Sequence, residues 1–568
     1  MVGTQLEEFG AEVLGVMRDV SPGRDMILCR LTGCNLEHAG IIQGMSGSPI
    51  YVEGKLLGAV AYAWEFAKDP IAGITPFEQM VKYVRSTERR VAAEGLDGVG
   101  RIRTSGGTRI PLLIESDEPP QQAASLFGGM RAISTPIAAS GFGPRTLAWL
   151  SDRLHPMGMA AAPGGSASED IVEREGDKPL VPGSPISVAM VTGDFNLSGI
   201  GTVTHVQGER VYAFGHPMFG LGSCEFPMMS GYIHTVYPRA SVSMKMGSPL
   251  KIVGVLDADV STGIAGRLGQ GPDLLPMEVR VRVGRYAEPT TYRVRIVREP
   301  TLMPSLVMAV LNNSIDTEGN LPEELTARIQ VRISCDGQDP LLIDDTYSGG
   351  RYGGATGSAA LFQEVGRLVQ ILARNPIAPS KITSITCKVE IDMGRTSADL
   401  VSVRLDSDRI EPGQTLHAIV TLKPYKGERQ TVSIELPTPV DLPEGTYELS
   451  VCDQGNSLRR RIRSNPELAE PKNLAELFRY LRMQSSTKRS EFYLHLPLPD
   501  RGLAVEGQAM PALPGSARAV LSSGKHGADP AIRAELIAGS STPFVVEGAQ
   551  SIRFTTVRDA GLSHAGSD

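Results

Sequence analysis

A chain of 568 residues exceeds what one hydrophobic core accommodates and implies about three or four domains. Its net charge of -7 comes from interspersed acidic and basic residues, which excludes a nucleic-acid footprint or a polybasic membrane patch and leaves protein or peptide partners. Gly (62) and Pro (40) are plentiful and aromatics are 5 %, a balance that favours many short strands and turns, so the chain is expected to be mainly β.

No run of about 18 apolar residues occurs, so no integral membrane segment is expected. The N-terminus lacks a basic-then-apolar leader. It enters strand-like sequence at once, Phe9, Ala11, Val13 and Gly15 alternating, and therefore reads as truncated.

Residues 1–95 make a first region, with strands expected at 12–20 and 26–31 and a hairpin of 51–52 and 56–63 across Glu53-Gly54. Thr75-Pro76-Phe77-Glu78 reads as a capping box with Thr75 as the cap, opening a helix toward residue 94. Residues 96–177 read as an α/β insert and linker, with a strand at 110–114, a helix at 145–154 and a flexible run at 160–168. A second β region spans 178–345, with alternating strands at 279–283 and 292–296 and a helix at 304–312.

Residues 346–376 form a glycine-rich linker and a helix. The loop lacks the strand-and-lysine grammar of a phosphate cradle, so no nucleotide is assigned. The helix, at 358–374, aligns Leu361, Phe362, Val365, Leu368, Val369 and Leu372 in one stripe, the pattern of a core-facing helix. Short strands at 385–392, 399–405, 415–422, 430–436 and 446–451 predict a β-sandwich over 377–464. Residues 465–568 carry a helix at 474–481 and a β-rich tail with strands near 517–521 and 551–555, ending in a disordered 563–568.

The chemistry concentrates in Gly44-Met45-Ser46-Gly47-Ser48-Pro49. Glycines on both sides of Ser46 allow a tight turn that leaves the Gly44 and Ser46 amides free to face one point, as an oxyanion hole requires. The elbow pattern G-x-S-x-G fails, because Ser48 stands where its second glycine belongs and strand-like sequence follows. Ser48 reads as a hydrogen-bonding residue at the strand mouth. A second cluster, Phe214-Gly215-His216-Pro217, puts an imidazole between a permissive glycine and a rigid proline beside the apolar stretch 218–229.

Gln43 to Ile50, Gly54 to Val60 and Asp69-Pro70, with Gly201-Thr202-Val203-Thr204, Ala213 to His216 and Gly263 to Gly266, resemble the SpoIVB peptidase family, a chymotrypsin-like group of serine peptidases. The resemblance implies a double β-barrel core in which Ser46 is the nucleophile and His216 the base. It also implies an extracytoplasmic setting, in the periplasm or cell envelope.

The order of the halves is permuted relative to the family, which geometry tolerates. The position of the family's acid falls on Gly33, so Asp259 is expected to orient His216, with Asp257 next and Asp25 out of register; both Asp257 and Asp259 also read as ordinary turn or solvated carboxylates. His38 is the fallback base, ahead of His205 and His234. No PDZ-like segment is evident.

The six cysteines show no zinc spacing, so neither a metal nor any other cofactor is expected. Cys29 and Cys34 could bridge, yet free thiols are the preferred reading. Two functions follow: a serine endopeptidase acting through an acyl-enzyme on extended segments or its own linkers, or a noncatalytic envelope protein that keeps the core as a peptide-binding scaffold and meets a partner through its sandwich.

Overall fold

The computed structural model describes residues 3–64, 67–96, 129–157, 159–239, 243–319, 321–350, 360–464, 470–499, 502–505, 508–510, 520, 531–532 and 535–558. They fall into two compact units: 3–96, 129–278 and 292–317 in one, and 279–291 with 318–558 in the other. Both are mainly β. The strand expected at 110–114, the tail strand at 517–521 and the terminal 563–568 lie outside the described residues, save residue 520.

The serine region of the first unit is one sheet. Its strands are β1 (Gly10–Ser21), β2 (Arg24–Thr32), β3 (Pro49–Val52), β4 (Lys55–Ala63) and β5 (Ile71–Pro76), in the order β1-β2-β5-β4-β3, with β6 (Arg131–Ala132) against β4. Every second residue of β2, namely Ile27, Cys29 and Leu31, points into a core with Ile50, Val60 and Ile74. Among the described residues this sheet is an open path from β1 to β3. A short helix α1 (Leu36–Ala39) leads to the serine loop.

Helix α2 (Phe77–Leu96) follows β5. It begins one turn position later than the capping box implied: Pro76 stays in β5, and the Thr75 hydroxyl donates to the Gly215 carbonyl at 2.6 Å instead of capping the helix. Tertiary demand overrides the local motif, because Thr75 is buried beneath the histidine turn. Met80 and Val84, one turn apart on α2, pack on Tyr212, Ala258, Val260 and Ala265.

The histidine region adds β7 (Thr135–Ser140), β8 (Met159–Pro163), β9 (Pro185–Gly193), β10 (Asn196–Gln207), β11 (Arg210–Ala213), β12 (Gly222–Tyr237), β13 (Met244–Val260) and β14 (Gly263–Leu268). Strands β9, β12, β13, β14, β11 and β10 each pair with the next, and β10 pairs back to β9, so six antiparallel strands close into a ring. Part of the stretch read as a flexible run is β8, which pairs in parallel with β7. Closure removes exposed edges and fixes the register of β10 and β13.

In the second unit, Glu324–Cys335 pairs with Gln338–Gly350 and Ile382–Met393. The helix Gln363–Arg374 buries Val365, Leu368, Val369 and Leu372, the stripe seen in the sequence. A four-stranded sheet containing Ser397–Leu405, Thr415–Pro424 and Gln430–Pro437 shares one core with a five-stranded sheet containing Gly445–Cys452, Glu491–Pro497 and Ala549–Thr556. Much of the second sheet of this sandwich therefore comes from beyond residue 464. All six cysteines are free thiols.

Candidate active site

Ser46 lies in a loop held on three sides. Ile42 and Met45 anchor it in the serine-region core, and the Met45 amide turns back to the Ile42 carbonyl at 3.1 Å. The Gly47 amide donates to Val60 on β4 at 2.8 Å, while on β10 the Thr202 amide reaches the Ser46 carbonyl at 2.9 Å and the Thr204 hydroxyl the Gly47 carbonyl at 2.8 Å. Gly44 (φ 88°) and Gly47 (φ 93°) are left-handed, and a Cβ on Gly47 would collide with the Thr202 carbonyl and the Phe214 amide nitrogen. The two sequence motifs therefore meet backbone to backbone within one unit.

Peptide planarity then aims the amides. The Lys245 amide holds the Gln43 carbonyl at 3.0 Å and the Ser48 amide holds the Met45 carbonyl at 2.9 Å, so the N–H groups of Gly44 and Ser46 point the opposite way. Among the described residues neither finds an acceptor, although both residues are buried. The Ser46 hydroxyl is fully buried and also has no partner. Buried polar groups are mostly satisfied, so these gaps single out the loop as the candidate site.

His216 follows a strained turn. Phe214 has φ 68°, a left-handed conformation that a bulky residue avoids at a cost of about 1–3 kcal/mol. Gly215 (φ 70°) lies so close to β4 that a Cβ would sit 2.9 Å from that of Ala59. The imidazole is buried, with Nδ1 2.8 Å from the Pro217 carbonyl. A carbonyl only accepts, so Nδ1 carries the proton and Nε2 presents a lone pair; Nε2 has no hydrogen-bond partner. Burial drives the imidazole down to about 4, against the raising effect of the Pro217 bond.

Asp259 does not orient His216 in this geometry. Its carboxylate, 1 % exposed, accepts the amides of Met218, Phe219, Gly220 and Leu221 at 2.7–3.4 Å. Burial raises its pKa while those amides pull it down. It organises the turn after His216, and the Pro217 carbonyl occupies the orienting place at Nδ1. Asp257 is bound to Arg210 at 2.6 Å and Arg267 at 3.1 Å. Nor does a hydrogen bond join Ser46 to His216, since each atom that would make it is without a partner.

The other candidates are engaged or remote from this chemistry. His38 is exposed on α1, His205 packs edge-on against Phe77, and His234 bonds Ser248 at 2.8 Å. Gly33 donates its amide to Glu37 at 2.8 Å.

A cleft of about 720 Å³ runs beside the serine loop, lined by Phe9, Ile42, Met45, Ser48 and Lys245 among others; Ser46 and His216 do not line it. Among the described residues no cluster could hold a metal.

Lys245 escaped the sequence reading. No sequence signal marked it: only the register of β13 shows Lys245 buried and its neighbour Met246 40 % exposed.

The family model of the SpoIVB peptidase S55 group matches residues 1–81. That span holds the serine loop and ends within α2. No curated protein and no solved structure matches the chain.

Proposed function

Taking as premise that the serine half matches a serine peptidase family, we propose that the protein is a serine endopeptidase of the SpoIVB type, acting on extended protein segments outside the cytoplasm. One observation carries this reading: the Ser46 hydroxyl and two amides of its loop are buried without partners among the described residues, and the segment that packs on this loop at Phe214 leads to His216, whose Nε2 is likewise unpartnered. Ser46 Oγ would attack the scissile carbonyl carbon while His216 Nε2 takes its proton, the Nδ1–H staying on the Pro217 carbonyl. The Gly44 and Ser46 amides would receive the oxyanion. His216 would then return the proton to the leaving amine, and water would repeat the sequence on the acyl-enzyme.

A carbonyl in place of a carboxylate stabilises the imidazolium less, and a depressed imidazole is a weaker base. Loss of the acid in such triads lowers turnover by about 10⁴-fold, with roughly 10³- to 10⁴-fold rate enhancement over water remaining. A slow peptidase is therefore expected. The cleft is lined by Met45 and Ser48 and not by Ser46, which favours the scaffold as second reading, with peptide held in the cleft and no turnover.

Incubation of the full chain with a library of unstructured peptides separates the two. Cleavage that disappears in Ser46→Ala and His216→Ala supports the peptidase; peptide binding without cleavage, unchanged in both variants, supports the scaffold.

A further inference from the structure

Lys245 is a buried cation with no carboxylate against it among the described residues. It is 6 % exposed, and its Nζ donates to the Thr202 hydroxyl at 3.0 Å. That hydroxyl passes its own hydrogen to the Gly44 carbonyl at 3.0 Å. The aliphatic stem lies along Gly44, where a Cβ would stand 3.3 Å from both Cβ and Cδ of the lysine. The lysine backbone amide meanwhile holds Gln43 and so aims the Gly44 N–H. One residue thus grips the peptide bonds on both sides of Gly44.

Lysines are rarely buried without a partner, because taking an ammonium out of water costs several kcal/mol. A methionine would fill the same volume without that penalty. Retaining the charge makes sense where negative charge arrives later, and the Gly44 amide is half of the proposed oxyanion hole.

We propose that Lys245 is a positioning residue of that hole, which fixes the Gly44 peptide through Thr202 and sets a positive charge behind the amides that meet the oxyanion. The inference rests on Ser46 being the nucleophile. Thr202 is the coupling element, since it also holds the Ser46 carbonyl through its amide.

Burial alone lowers the ammonium to about 8. The cation is therefore present at neutral pH and lost as pH rises through that value. The titratable groups that line the same cleft are Glu7, Glu8, Cys34 and Tyr51; on the strands nearby, His205 of β10 packs on Phe77 and His234 of β12 bonds Ser248. The Cys34 thiol is pushed up by burial and by Glu7.

The test is the rate at which a fluorophosphonate phosphonylates the full chain, with loss of fluoride, between pH 6 and 9.5. In the unaltered protein the rate should fall about tenfold as pH rises through 8. Lys245→Met should be slower at pH 7 by roughly 10- to 100-fold, somewhat less than loss of a direct oxyanion donor, and flat across this range. Its thermal midpoint should equal or exceed that of the parent, which separates lost charge from lost folding. Lys245→Arg should keep its rate at pH 9, where the parent has lost it.

A Lys245→Met protein with the parental rate and profile would overturn the proposal. So would a parental rate that climbs through pH 8 and vanishes in Lys245→Arg, which would make the amine the base. Absence of phosphonylation in the parent at every pH would remove the serine-peptidase reading itself, and the role of Lys245 with it.

Discussion

The first unit holds a serine whose hydroxyl and a histidine whose Nε2 lack partners; the second holds a serine, a histidine and a glutamate in close contact. Ser457 Oγ lies 2.8 Å from His495 Nε2, and His495 Nδ1 lies 3.0 Å from Glu535 Oε1. By residue type and distance that trio is the better triad. Yet Ser457 sits inside the helix Gln454–Ser464, its amide bonded to the Asp453 carbonyl at 2.9 Å, so no donor beside it is free for an oxyanion. Such a network fastens a helix to a strand of the sandwich, and its bonds contribute stability. Around Ser46, by contrast, the donors and acceptors are sealed in and unused. Chemistry needs groups with something left to bind, and in the first unit both the hydroxyl and the imidazole lone pair have it, whereas Ser457 Oγ is already engaged by His495.

The contrast can be broken most decisively at the nucleophiles. Ser46→Ala should abolish fluorophosphonate labelling, by at least ~10⁴-fold in rate, whereas Ser457→Ala should leave the labelling rate unchanged. Asp259→Asn comes next. A carboxylate that anchors four amides should cost about 2–4 kcal/mol when neutralised, visible as a lower urea midpoint. A triad acid would instead lose about 10⁴-fold in rate with stability intact.

His216 gives a pH-dependent effect of similar size. Its folded value is about 4, below the ordinary 6.5, so between those values the unfolded chain binds more protons than the native one. Stability should be fully present above pH 6.5 and fall by about 3 kcal/mol as pH drops to 4, a slope that His216→Gln removes. Urea unfolding at pH 4.5 and 7.5 measures it. His495→Gln should cost about 1–3 kcal/mol of second-unit stability and leave labelling of Ser46 untouched. Ser48→Ala, at the cleft wall, should change labelling less than threefold.

Much of this was legible in the chain. Period-two patterns found β2, β4 and the strands of the sandwich, and the glycines flanking Ser46 announced a left-handed loop. That the Ser46 loop and the turn carrying His216 belong together was implied by family resemblance, since nothing local ties residues 170 apart; what packs together is Gly47 against Phe214. Three features lay beyond local reading. Thr75 carries a sound capping box, but burial against Gly215 redirects its hydroxyl. Asp259 was expected to orient His216, yet which groups its oxygens meet depends on the turn at 218–221, whose amides they accept. Lys245 drew no reading at all, because only the register of β13 shows that it points inward while Met246 points out.

Peptide mapping after fluorophosphonate treatment tests the central claim most directly. A single adduct is expected on Ser46, lost in His216→Ala. An adduct on Ser457 or Ser48, or labelling that ignores His216, would contradict the claim that the unsatisfied groups of the first unit are the reactive ones.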